Sequence, residues 1–253
     1  MKKDGFAPGE PCWADCGTDL TTAPAFYKAL FGWQLDDMGP DAGGYTIASN
    51  ATGQVAGFGP QQSPGAPYWS VYFRTDDAAK TAELVRSAKG TVLVEPFEVM
   101  EAGTMAVLAD PLGAAFCVWQ PNQHAGFGAV DEPGTYCWAE LVTTDVAAAS
   151  AFYADVLGVT VASGADASME YHELKLDDRS VAGMMPKPKE MPAEVPSFWG
   201  VYFAVEDTDA TLRRVAELGG STAAGPMDVP VGRFAVCVDP AGAPFSVIAL
   251  AQV

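Results

Sequence analysis

Two acids and a histidine have the best claim to proton chemistry in this sequence: Asp15 in CWADC, Glu140 in CWAEL and His172 in EYHEL. Asp15 and Glu140 stand at matched places, each two residues after a tryptophan, Trp13 or Trp138. A carboxyl repeated in this way is either an acid or base turned to a ligand, or a partner for a backbone donor or an arginine. His172 alternates with Glu173 and has the type of a general base, although a strand histidine without a named partner is commonly structural. Ligands for metals are scarce. With His124 and His172 as the only histidines, two imidazole-based centres are out of reach. The five cysteines, Cys12, Cys16, Cys117, Cys137 and Cys237, are odd in number and contain no Cys-x-x-Cys pair, which favours neither a disulfide framework nor a structural zinc. Arg233 in VGRFAV is an anion clamp or a strand-edge charge. No Gly-x-Gly-x-x-Gly, Walker loop or Gly-x-Ser-x-Gly elbow is present, so nucleotide cofactors and serine hydrolysis lack support, and no cofactor is expected.

The elements that position these residues come in copies. PYWSVYF, with Trp69, returns as SFWGVYF, with Trp199; Phe26-Tyr27 returns as Phe152-Tyr153; and AVLADPLGAAF returns as AVCVDPAGAPF. Within the first copy the spacing predicts a strand at Cys12–Gly17, a helix at Thr21–Leu30 stopped by Gly32, and strands at Tyr45–Ser49 and Gln54–Phe58. A second unit follows: a strand at Tyr68–Arg74, a helix over about Asp77–Lys89, then strands near Thr91–Val94, Thr104–Leu108 and Ala115–Trp119. Asp110-Pro111-Leu112-Gly113 turns the last hairpin. Each copy is thus two βαβββ units, and the chain holds four. The Gly- and Pro-rich PNQHAGFGAVDEPG lies between the copies, giving domains at 1–121 and 135–253 joined by a linker at 122–134.

Bulk properties narrow the partners. Thirty-two acidic residues against 14 basic ones give a formal charge of −18, which repels nucleic acid and anionic membranes. No stretch approaches the ~18 uninterrupted apolar residues of a membrane span. A cytoplasmic protein is expected.

Four βαβββ units, Asp-x6-Phe-Tyr at the first helix of each copy (Asp19 to Tyr27, Asp145 to Tyr153) and the Asp-Pro-x-Gly hairpins resemble the vicinal oxygen chelate superfamily. That group contains glyoxalases, bleomycin-type resistance proteins and extradiol dioxygenases; WQPNQHAGF at 119–127 is similar to the linker of its two-domain members labelled as hydroxylases. The likeness covers nearly the whole chain. It implies an α+β fold of tandem glyoxalase-like domains, whose four βαβββ units form two half-barrel sheets with helices outside. Metal-using members draw ligands from the first strand of each unit and from a late Glu. Counting from the motifs puts those positions at Cys12 or Trp13, Trp138, Trp69, Trp199, Cys117 and Ser246, which is not a metal site, since indole offers no lone pair in its ring plane.

Strand alternation then groups Trp69, Val71 and Phe73, and likewise Trp199, Val201 and Phe203; the resemblance implies that these faces line the cavities. By the same parity Trp13 with Asp15, Trp138 with Glu140, and Cys117 with Trp119 face inward. Such rings either stack on an aromatic guest, at ~0.5–1.5 kcal/mol per pair, or simply plug the cavities. Cys117 is a small hydrophobe unless something lowers its pKa. The expected function is metal-free binding of a hydrophobic or aromatic small molecule, for sequestration, resistance or delivery. One alternative is a metal-independent tailoring enzyme using Asp15, Glu140 or His172, and another is a metal-dependent glyoxalase or dioxygenase with relocated ligands. Two fused copies already make a pseudo-dimer, so the chain is expected as a monomer or a homodimer.

Overall fold

The computed structural model describes residues 1–62, 65–164 and 170–251. The first copy comprises β1 (Pro11–Thr18), α1 (Thr22–Phe31), β2 (Gln34–Asp37), β3 (Thr46–Ser49) and β4 (Gln54–Pro60), then β5 (Tyr68–Arg74), α2 (Ala78–Ser87), β6 (Thr91–Val99), β7 (Gly103–Ala109) and β8 (Ala115–Pro121). The second repeats this order as β9 (Tyr136–Thr143), α3 (Val146–Leu157), β10 (Thr160–Ser163), β11 (His172–Leu176) and β12 (Arg179–Pro186), then β13 (Phe198–Ala204), α4 (Thr208–Glu217), β14 (Ser221–Val229), β15 (Gly232–Val238) and β16 (Pro244–Leu250). No helix among the described residues is long and apolar enough to cross a membrane.

Local chemistry sets the helix ends. Asp77, Asp145 and Asp207 are N-caps whose carboxylates accept from the backbone N–H three residues on. Asp19 instead accepts from Thr21 N and Thr22 N, and Pro24 supplies a preset φ in the first turn of α1. Gly32 closes that helix in the left-handed region at φ 74, a conformation that favours glycine. β2, four mostly exposed residues with sequence QLDD, was not signalled by alternation because both of its faces are polar or wet at the sheet edge.

Each copy builds one eight-stranded, half-closed sheet, in the order β2-β3-β4-β1-β5-β8-β7-β6 for the first and β10-β11-β12-β9-β13-β16-β15-β14 for the second. The units join within a copy, through antiparallel β1–β5 and β9–β13 pairs. Each sheet therefore has an inner face of its own. The outer faces carry the helices and pack against one another: Trp69 meets Phe203 at 5.1 Å and Phe73 meets Trp199 at 4.9 Å, both edge to face. Helix residues Tyr27 and Tyr153 brace the same core, the first 5.2 Å from Phe245 and the second 5.6 Å from Phe116 of the other copy.

The 122–134 segment is tied down at several points. Phe127 N donates to Cys12 O, Gly128 N to Gln54 O and Lys3 N to Gly128 O. A buried Glu10, accepting from Lys3 Nζ and Arg179 Nη1, further links the first copy to β12 of the second.

Candidate ligand site

On the inner face of the first sheet, β1 offers Trp13 and Asp15, and β5 offers the residues across from them. The register pairs Trp13 with Tyr72 and Asp15 with Ser70. Tyr72 Oη donates to Asp15 Oδ2 at 2.7 Å, and Tyr45 Oη, from the loop before β3, donates to the same oxygen at 3.2 Å while accepting from Trp13 Nε1 at 2.9 Å. Tyr45 lies over Gly57, the β4 partner of Asp15, where an added Cβ would fall 1.8 Å from the phenol oxygen. A glycine at that position is what lets the ring reach the acid.

The second copy repeats the cluster. Trp138 Nε1 donates to Tyr171 Oη at 2.9 Å, Tyr202 Oη donates to Glu140 Oε1 at 2.8 Å, and Tyr171 lies over Gly183 at the same 1.8 Å to a built Cβ. Tyr171 also stabilises the charged form of Glu140. The β8 and β16 residues in register with Tyr72 and Tyr202 are Cys117 and Ser246.

Burial governs the electrostatics of both clusters. It pushes the Asp15 carboxyl up from 3.8 to about 6, an effect only partly offset by Tyr72, Tyr45 and Ser70. Burial likewise raises Glu140, against the phenols of Tyr202 and Tyr171. The four tyrosines are pushed above their usual range by burial and by the neighbouring acid, so they serve as donors. The Cys117 thiol is also raised by burial, which leaves it an unreactive neutral group.

The two sites differ in cover. In the first copy His124 stands edge-on to Trp13 at 4.5 Å and to Trp119 at 5.8 Å, and Phe127 packs on Trp13 at 5.3 Å. Trp119 Nε1 donates to His124 O, which holds this cover over the two indoles. Trp13 is left 4% exposed and Trp119 5%. In the second copy Trp138 is partly exposed and Ile248 stands in the place of Trp119, while Tyr171 is partly exposed like Tyr45 and Asp15 of the first.

Several expected site residues lie elsewhere. Trp69, Val71 and Phe73, and their repeats Trp199, Val201 and Phe203, face outward into the core between the copies, not onto the inner faces that carry the acids. The reason is register: with Tyr72 opposite Trp13 and Ser70 opposite Asp15, the even-numbered residues of β5 share the face of the acid. Trp69 Nε1 donates to Tyr27 Oη and Trp199 Nε1 to Tyr153 Oη, so both indoles have polar partners within the interface. His172 is also on the outer face, since it pairs with Met184 while its neighbour Glu173 pairs with Gly183 on the side of Glu140. Among the described residues its buried Nε2 has no hydrogen-bond partner, and it is turned away from the cluster. Missed in turn were Tyr45, Tyr72, Tyr171 and Tyr202, although the first pair of these and the second occupy corresponding places in the repeat.

A model of the Glyoxalase/Bleomycin resistance protein/Dioxygenase superfamily matches residues 16–118 and 126–247. The chain belongs to that superfamily. Among its relatives in the superfamily, the Mycobacterium tuberculosis protein named "Putative glyoxylase CFP32" is 42% identical, over 98% of this chain and 97% of its own. The anthracycline biosynthesis protein DnrV of Streptomyces peucetius is 40% identical, over 98% and 95%. Two superfamily structures share the fold: a Mn(II)-bound glyoxalase from Novosphingobium aromaticivorans, with TM-score 0.65, 18% identity and coverage of 97% and 84%, and a 2,2',3-trihydroxybiphenyl 1,2-dioxygenase from Sphingomonas wittichii, with TM-score 0.65, 14% identity and coverage of 98% and 92%.

A divalent metal is therefore the group to test against these residues. Each cluster supplies one carboxylate, already engaged by phenols, with an indole, and with a raised thiol in one copy and a serine in the other. Among the described residues no three of His, Cys, Asp and Glu gather as a metal-holding group. That donor set does not fit a Mn(II) or Fe(II) centre, which calls for imidazole and carboxylate around open positions.

Proposed function

We propose that the chain is a metal-independent member of the superfamily that binds a flat aromatic small molecule on the inner face of its second copy. The observation that carries this reading is the Trp138–Tyr171–Glu140–Tyr202 cluster, a partly exposed indole and phenol beside a fixed acid, standing where metal-using members are expected to hold their ligands. Aromatic faces give a planar guest area and stacking, and a few convergent polar groups orient it. The name of the DnrV relative, an anthracycline biosynthesis protein, supports a polycyclic aromatic as the guest. Five free cysteines suit a reducing, cytoplasmic setting.

A second reading, an acid–base enzyme without metal, is favoured by one feature. The Asp15 carboxyl is poised at about 6, near the range in which a carboxyl exchanges protons at neutral pH. The cover of His124 and Phe127 over that cluster argues for binding first.

Tryptophan fluorescence of the EDTA-treated protein, titrated with polycyclic aromatic compounds, tests the proposal. Saturable quenching that is lost in Trp138→Ala and retained in Trp13→Phe is expected. Quenching that requires an added divalent metal overturns it, and turnover of a bound compound that is abolished by Glu140→Gln moves the chain to the second reading.

A further inference from the structure

The two clusters differ in the acid itself, in Cys117 against Ser246, and above all at the residue directly opposite the acid. Asp15 is served by three hydroxyls: the phenols of Tyr72 and Tyr45, and Ser70 directly across the strand pair. Among the described residues Glu140 is served by the two equivalent phenols, and the residue across from it is Gly200. A carboxylate has about four acceptor positions, so a third donor finds a vacancy that Ser70 fills in the first copy. Among the described residues a Cβ built on Gly200 meets nothing nearer than Glu140 O, at 3.8 Å, which leaves a notch with room for a small donor beside the acid.

The notch has walls of the right kind. Along β13, Phe198, Gly200 and Tyr202 share the inner face, with two rings flanking the gap. At ~3.3 Å per residue, Phe198 and Tyr202 are roughly 13 Å apart along the strand, about the length of a tri- or tetracyclic ring system. In the first copy Ser70 itself fills the corresponding notch, and His124 and Phe127 pack over Trp13.

We infer that the chain binds one hydroxylated polycyclic aromatic per molecule, with a ligand hydroxyl entering the notch at Gly200 and donating to Glu140 as Ser70 does to Asp15. This rests on the aromatic-binding reading above and adds the donor group, the position and the stoichiometry. Gly200 is then the specificity-determining residue. Burial of the acid makes the hydrogen bond selective, since a guest without the donor leaves the acceptor position unmet in a dry site.

The test is calorimetric titration of the full chain with 2,6-dihydroxyanthraquinone, whose hydroxyls are free to donate, and with its dimethyl ether, which keeps the rings and lacks the donors. One site per chain is expected, with the ether roughly tenfold or more weaker. Gly200→Ser, which puts the first copy's hydroxyl into the notch, is expected to weaken the dihydroxy compound to a similar degree while leaving the thermal midpoint near that of the parent. Equal binding of the two compounds, two sites per chain, or an unaffected Gly200→Ser would overturn this inference and leave the aromatic-binding reading standing. Failure of the parent chain to bind either compound or any other polycyclic aromatic removes both. The ether comparison uses the unaltered protein, so it decides the matter even if the serine variant folds poorly.

Discussion

At the scale of single residues, the first cluster holds two ionisable groups whose burial pulls stability in opposite directions with pH. Asp15 has its folded pKa raised from 3.8 to about 6, so its favourable contribution is complete below about pH 4 and is lost as pH rises through 6. Asp15→Asn keeps an acceptor for the phenols and removes the cost of burying the charge. The variant is thus expected to match the parent near pH 4 and to exceed it above about pH 7, by up to about 3 kcal/mol. His124 runs the other way: burial lowers it from 6.5 to about 4, so the stability that its neutral form allows is present above 6.5 and lost as pH falls toward 4. His124→Gln should therefore flatten the acid side of the curve. Urea midpoints of the parent and both variants near pH 4, 5.5 and 7.5 measure these slopes, and differences that stay constant with pH would show that neither group is buried as described.

At the scale of elements, the Asp-Pro-x-Gly hairpin does more than turn the chain. Asp110 Oδ1 accepts from Leu112 N and Ala114 N to close the turn, while Oδ2 accepts from Tyr153 Oη on α3 of the other copy. The same phenol accepts from Trp199 Nε1. Tyr153→Phe therefore strands a buried carboxylate oxygen and a buried indole N–H together, with an expected loss of about 1–3 kcal/mol for each orphaned group. Urea unfolding checks this; a loss below about 0.5 kcal/mol would mean that solvent replaces the phenol. The helices, the hairpin turns and the duplication were legible in the sequence because caps, glycine stops and repeated motifs act locally. The pairing register of β5 with β1 was not. A one-residue choice of register turns every side chain of a strand to the other face, and alternation in PYWSVYF and SFWGVYF does not by itself decide whether the tryptophans or Tyr72 and Tyr202, three residues later, face the acid. The tyrosine partners of the acids carried a signal of their own: Tyr45 and Tyr171 are separated by the same interval as Phe26 and Phe152, and Gly57 and Gly183 by that interval again.

At the scale of the whole molecule, the two copies share one core. Residues of both halves belong to a single buried apolar cluster, and the rings of Trp69, Phe203, Trp199 and Phe73 alternate across the boundary between them. Domains joined by a modest polar interface melt separately, whereas halves that each bury their largest rings against the other lose that burial together. Calorimetry is expected to show one unfolding transition for the parent chain. Trp69→Ala removes a ring that is 5% exposed and strips the hydroxyl of Tyr27 of its indole partner, at an expected cost of about 3–5 kcal/mol. Because Trp69 supports Phe203 of the second copy as directly as Phe58 of its own, the substitution should lower that single transition as a unit. A scan in which the first copy melts early and the second keeps its parental midpoint would show instead two independent domains, and the outward-facing tryptophans would then be packing each half on its own.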